Sequence, residues 1–143
     1  MRDSLGMTQS EPNEEKTSNL PGPLAGLSVL ELGEMVAAPY CAKLLGDLGA
    51  DVIKVERPGG DDTRGWGPPF ALGEATYFWS ANRNKRSVVL DLHDPGDALI
   101  AADLAYSADI VVENFRFGYR QNKWQFYQFL RSMQTTRIRF ILS

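Results

Sequence analysis

Residues 27–56 read LSVLELGEMVAAPYCAKLLGDLGADVIKVE, and this stretch decides the fold. Its first six residues are a short apolar run bounded by turn residues, which predicts a buried strand. Pro39 suits a first helical turn, Leu44, Leu45 and Leu48 recur at spacings of three and four, and Gly49 is placed to end the helix. DVIKVE, residues 51–56, is the next strand. Strand, helix and strand within about 30 residues make one βαβ unit.

Working outward, residues 57–69 (RPGGDDTRGWGPP) carry four Gly and three Pro, which predicts a long loop at the carboxyl end of the second strand. TYFWSA, residues 76–81, reads as a short helix or buried connector, and SVVLDL, residues 87–92, as a third strand. Asp94 followed by Pro95 is an N-cap with proline at the first helical position, and Leu99, Ile100, Ala102 and Leu104 are the expected apolar face of that helix. DIVVE, residues 109–113, is a fourth strand. Strands alternating with helices predict an α/β fold, a Rossmann-like parallel sheet with flanking helices.

The 143 residues, 43% hydrophobic and 23% charged with a formal net charge of −3, suit one ordinary domain and exclude disorder throughout. No stretch approaches the ~20 apolar residues of a membrane helix, so no membrane partner is expected. Cys41 cannot form an internal disulfide, and with His93 as the one histidine a four-ligand zinc site cannot be built. A reducing, cytoplasmic location fits. Residues 1–22 are polar and read as a flexible leader without the apolar centre of a secretory signal. All 18 Asp and Glu precede residue 114, whereas six of the 15 Lys and Arg, and seven of the 15 aromatic residues, lie beyond Phe115. Residues 117–143 therefore form a basic, aromatic tail with a texture unlike the domain at 23–116.

In an open parallel sheet, ligands bind outside the carboxyl ends of the strands. The candidates are residues 33–38, Arg57 with its loop, residues 90–93 and residues 114–116. The turn GEMVAAP after the first strand has one Gly and lacks G-x-G-x-x-G, which argues against a conventional dinucleotide site. Neither a P-loop nor G-x-S-x-G is present. Arg57 is either a phosphate ligand or an exposed surface arginine. Asp61 and Asp62 are a metal pair, a general base, or solvated acids capping a turn. His93 is an acid–base group or a loop residue, and Cys41 a reactive thiol or packing. The run Asn82-Arg83-Asn84-Lys85-Arg86 holds a phosphate or is a solvated turn.

Three strings occur in order: LGADVIKVERPGGDDTR at 48–64, NRNKRSVVLDL at 82–92 and VENFR at 112–116. Together they make residues 23–118 resemble the amino-terminal part of the family III CoA-transferases (CaiB/BaiF type). That group includes formyl-CoA transferase, carnitine CoA-transferase, succinyl-CoA:dicarboxylate transferases and α-methylacyl-CoA racemase. The complete DDTRGWGPPF loop is more similar to the transferases than to the racemase branch.

The resemblance implies an incomplete large domain whose strand ends hold coenzyme A or acyl-CoA as substrate, with no permanently bound cofactor. It also implies a small carboxylic acid as second substrate, an interlocked homodimer, and no nucleic-acid partner. Matched motif by motif, the CoA contacts fall on Val36 and Ala37, on Arg57, on Leu90, Asp91, Leu92 and His93, and on Asn114, Phe115 and Arg116. Relatives often carry Gln at the position of Val36. The family's nucleophilic Asp lies beyond residue 143, so no catalytic residue and no metal ligand is expected here, and Asp61, Asp62 and Asp91 do not match it. Phe117 stands where the family has Pro, and residues 117–128 diverge. The expectation is a truncated transferase that is inactive by itself, with a non-catalytic CoA-binding fragment and the racemase branch as alternatives.

Overall fold

A computed structural model describes residues 21–115 and the backbone of residues 138–141. The elements in chain order are β1 (Ser28–Glu31), α1 (Ala37–Asp47), β2 (Asp51–Glu56), a 3-10 turn (Asp62–Gly65), β3 (Phe70–Ala71) and β4 (Glu74–Ala75). They continue with α2 (Thr76–Asn82), β5 (Lys85–Val89), α3 (Pro95–Ser107), β6 (Ile110–Glu113) and β7 (Ile138–Ile141). Five strands form one sheet in the order β5-β2-β1-β6-β7, and every neighbour pair is parallel. β3 and β4 make a separate antiparallel hairpin.

Alternation along the strands divides the core in two. Val29, Val52, Ile110 and Val112 pack with Ala38 and Ala42 of α1. Leu30, Val55 and Val111 pack with Ala101, Ala102 and Ala105 of α3. Both faces of the central strands β1 and β6 are thus covered, which is why their cores read as near-continuous apolar runs, whereas the edge strand β5 is largely exposed. Asp109 stitches the entry of β6 to that of β1 by accepting bonds from the Ser28 backbone N–H (2.9 Å) and hydroxyl (2.7 Å).

Three expectations need correction. The leucines foreseen as the inner stripe of α1 are largely outside it, with Leu44 and Leu48 exposed and Ala38, Pro39 and Ala42 inside. On α3, Leu99 is 69% exposed and Ile100 is exposed, whereas the foreseen Ala102 and Leu104 do pack on the core, together with Ala101 and Ala105. Small side chains let both helices lie close to strands crowded with β-branched residues, and only Leu45 and Leu104 of the foreseen leucines reach the edges of the two clusters. The third strand begins and ends earlier than foreseen: it spans Lys85–Val89, and after Leu90 donates to the Glu56 carbonyl (2.9 Å) the chain leaves the sheet. Asp97, in the first turn of α3, takes the Asp91 N–H (2.8 Å) and draws the chain away.

The α3 N-cap has the foreseen form: Asp94 accepts from the N–H groups of Gly96 and Asp97, with Pro95 at the first helical position. Gly49 sits at φ +102°, a conformation that closes α1 without Cβ strain. β7, drawn from the 117–143 tail, pairs with β6 in the register Ile110↔Ile138 to Glu113↔Ile141.

Candidate functional site

Strand order reverses direction at β1, whose neighbours β2 and β6 lead to opposite wings of the sheet. The crevice at the carboxyl ends of such strands is the ordinary ligand site of a doubly wound fold. A cavity of about 660 Å³ opens there, lined by Leu32, Glu34, Met35, Val55, Arg57, Pro58, Asp62, residues 90–93, Asn114 and Phe115. The structure therefore brings Arg57, Leu90, Asp91, Leu92, His93, Asn114 and Phe115 to one rim. Val36 and Ala37 are exposed at the start of α1 and are not among the lining residues. Arg116 lies outside the described residues. Leu32 and Val55 were missed because a core apolar residue at the last turn of a strand carries no local signal of a ligand. Glu34 and Met35 fell inside the candidate turn 33–38, yet only their neighbours were matched to contacts.

The floor is apolar and the rim is charged. Leu90 is buried, and Leu92 and Phe115 are partly buried against the core beneath α3. Arg57 is 46% exposed; its Nε donates to Glu34 Oε1 at 3.1 Å and its Nη2 is bonded to Asp62. Glu34, then Asp62, raise the already high pKa of the guanidinium. It is a permanent cation with partly solvated N–H donors, as phosphate recognition requires.

The turn at residues 33–35 is held from three directions. Asn114, at the end of β6, accepts from the Glu34 N–H (3.2 Å) and donates to the Glu34 carbonyl (3.0 Å). Lys54 Nζ donates to the Gly33 carbonyl at 2.9 Å, and Asp61 accepts from the Met35 N–H at 3.3 Å. Gly33 is required here, because a Cβ would stand 2.2 Å from Ala38 Cβ and 2.6 Å from Asn114 Oδ1. Met35 takes φ +70°, a strained value for a side chain of its size.

Beneath the turn lies a buried ionic cluster. The side chains of Glu31 and Lys54 are 0% and 1% exposed, and Lys54 Nζ stands 2.8 Å from Glu31 and 3.0 Å from Asp61. Lys85 reaches the other oxygen of Glu31 at 2.7 Å. Burial alone would lower the pKa of Lys54, but Glu31 and Asp61 more than reverse this. For Lys85, burial prevails and the pKa falls.

The 57–69 loop is anchored by Glu56. Its carboxylate accepts from Arg64 Nε (2.8 Å) and Nη2 (2.6 Å), from the Ser87 hydroxyl (2.6 Å) and from the Asp61 N–H (2.9 Å). Burial alone would raise the Glu56 carboxyl, but these donors bring its pKa down to about 2. Arg64 also lies over the Phe78 ring, 3.8 Å from its centroid.

The remaining candidates resolve into structural partners. Asp61 caps the 3-10 turn through the Thr63 N–H (3.0 Å) and hydroxyl (2.7 Å), and it is buried rather than solvated. Among the described residues no group of three or more His, Cys, Asp or Glu is placed to hold a metal ion. Arg83 and Asn84 bond Asp47, and Arg86 bonds Asp51. Lys85 bonds the Pro39 carbonyl (2.8 Å), so the 82–86 run is tied into the fold. Burial pushes the Cys41 thiol pKa up, against reactivity, and its side chain packs on the α1 face of the sheet.

A doubly wound parallel sheet with helices on both faces and a cavity at its switch point defines a Rossmann-like α/β domain. Residues 24–131 match the profile of CoA-transferase family III. The chain belongs to CoA-transferase family III. It is 53% identical over 94 residues to the succinyl-CoA:glutarate CoA-transferase of Mus musculus, covering 65% of this chain and 22% of that protein. With the acetyl-CoA:oxalate CoA-transferase of Acetobacter aceti the identity is 42% over 113 residues, covering 78% and 28%. The crystal structure of a CAIB/BAIF family protein from Brucella suis superposes with a TM-score of 0.77 at 41% identity, covering 85% of this chain and 33% of that one. A hypothetical protein from Mycobacterium tuberculosis gives 0.75 at 40% identity, covering 86% and 34%. The chain thus spans about a quarter of the length of the curated relatives it matches.

Proposed function

We propose that this chain provides the coenzyme A-binding rim of a transferase that moves CoA between an acyl-CoA and a dicarboxylic acid. The observation that carries the reading is the position of Arg57, a cation at the edge of the switch-point cavity beside an apolar floor. Phosphates need such a cation, and an adenine ring needs apolar surface such as Leu92 and Phe115 present. Relatives named for succinyl-CoA with glutarate and for acetyl-CoA with oxalate support the substrate classes. In this reading Arg57 holds phosphate, residues 90–93 and Phe115 border the nucleotide, and Val36 and Ala37 flank it.

None of the carboxylates at the rim is assigned as nucleophile. Asp61 is buried on Lys54 and Thr63, Asp62 pairs with Arg57, and Asp91 accepts the His93 N–H at 2.9 Å. The role of these residues is to bind and orient the thioester. We also assign a homodimer in a reducing cytoplasm, to be checked by sedimentation and by imaging of a tagged chain. Titration with CoA and with pantetheine, which lacks both the phosphates and the adenosine, tests the binding reading. Pantetheine should bind at least about tenfold more weakly, and equal affinities would contradict the phosphate role.

A further inference from the structure

The side-chain amide of Asn114 is engaged at both ends by one residue, Glu34, whose N–H and carbonyl it bonds at 3.2 and 3.0 Å. This is the pattern of a backbone partner: Asn114 extends the β1–β6 ladder by one step beyond Leu32, whose N–H bonds the Val112 carbonyl at 2.9 Å. The clamped residue in turn carries the carboxylate that holds Arg57 Nε at 3.1 Å. A half-exposed arginine has several rotamers to lose when it meets an anion, and a fixed carboxylate on Nε orients the guanidinium beforehand. The turn would not hold this form unaided, since Met35 is at φ +70°.

We propose that Asn114 is a positioning residue, which locks the 33–35 turn so that Glu34 presents Arg57 to the ligand. The part concerning affinity rests on the CoA-binding reading, and the part concerning the turn does not.

Two ligand-free signals in the full chain, read by NMR, test the lock. In Asn114→Ala the Glu34 amide should exchange about tenfold faster or more, and the Arg57 Nε–H should lose protection, while the core amides of Leu30 and Val112 keep theirs. Asn114→Asp retains an acceptor for the Glu34 N–H and should restore its protection in part, which also guards against a variant that fails to fold. Unchanged exchange at Glu34 and Arg57 would overturn the proposal. A double-mutant cycle with CoA then separates positioning from contact. If Asn114 acts through Arg57, Asn114→Ala weakens binding in the wild-type background and adds less than about twofold in Arg57→Ala. Full additivity would overturn it in favour of direct contact. Absence of CoA binding by the unaltered chain would refute the binding reading alone, leaving the two ligand-free signals to decide the lock.

Discussion

Lys54 is a charged side chain in the middle of a buried strand, and it is tolerated because three oxygens surround its ammonium group. Glu31, Asp61 and the Gly33 carbonyl lie at 2.8, 3.0 and 2.9 Å. The three come from the end of β1, the turn after it and the loop after β2, so one nitrogen joins the two segments that form the rim. Lys54→Met keeps the volume but takes the shared cation from Asp61 and from one oxygen of Glu31, leaving Lys85 alone on Glu31, and it should cost about 3–5 kcal/mol of stability in urea unfolding. A loss below about 1 kcal/mol would show that water or rearrangement compensates. Nothing local in DVIKVE reveals this role, since the partners lie 23 residues before and seven after Lys54. The Arg57 position was legible for the opposite reason: an arginine directly after a strand is placed at the rim by topology alone.

At the scale of elements, the order of strands and helices was readable because their signals are short-range. The Asp94-Pro95 cap and the Gly49 stop are set by neighbouring backbone groups, and both are found in the structure. The inner faces of the helices were legible only in part: Leu45, Ala102 and Leu104 pack on the core as foreseen, and Leu44, Leu48, Leu99 and Ile100 do not. Periodicity marks leucines, whereas the residues in closest contact with the sheet are mostly alanines, with Leu45 and Leu104 at the margins of the two clusters, and that spacing is a tertiary property. Ala101→Leu should therefore destabilise by about 1–3 kcal/mol, while Leu99→Ala should change stability by less than about 0.5 kcal/mol in thermal or urea unfolding. The loop after β2 has its own signature in pH. The Glu56 carboxyl titrates near 2 when folded and near its ordinary value of 4.5 when unfolded. Its contribution, on the order of 3 kcal/mol, is complete at neutral pH and is lost as pH falls from about 4.5 towards 2. Glu56→Gln should flatten the acid limb of the stability curve in that window, and an unchanged limb would contradict the assignment.

For the whole molecule, the sheet, the ionic cluster and the loop serve one end of the strands. The opposite end is closed by short contacts such as Ser28 with Asp109. A ligand bound only by the folded rim stabilises the chain by mass action, about 2.7 kcal/mol at a hundredfold excess over its Kd. CoA should therefore raise the Tm in proportion to the logarithm of its concentration, and added salt should reduce the shift by screening the phosphates. The measurement that bears most directly on the account is calorimetric titration of the chain with CoA, repeated on Arg57→Ala. Saturable binding that weakens about tenfold or more in the variant, the worth of a charged hydrogen bond, is the predicted result. Equal affinity in the two proteins, or no binding to the unaltered chain, would contradict it.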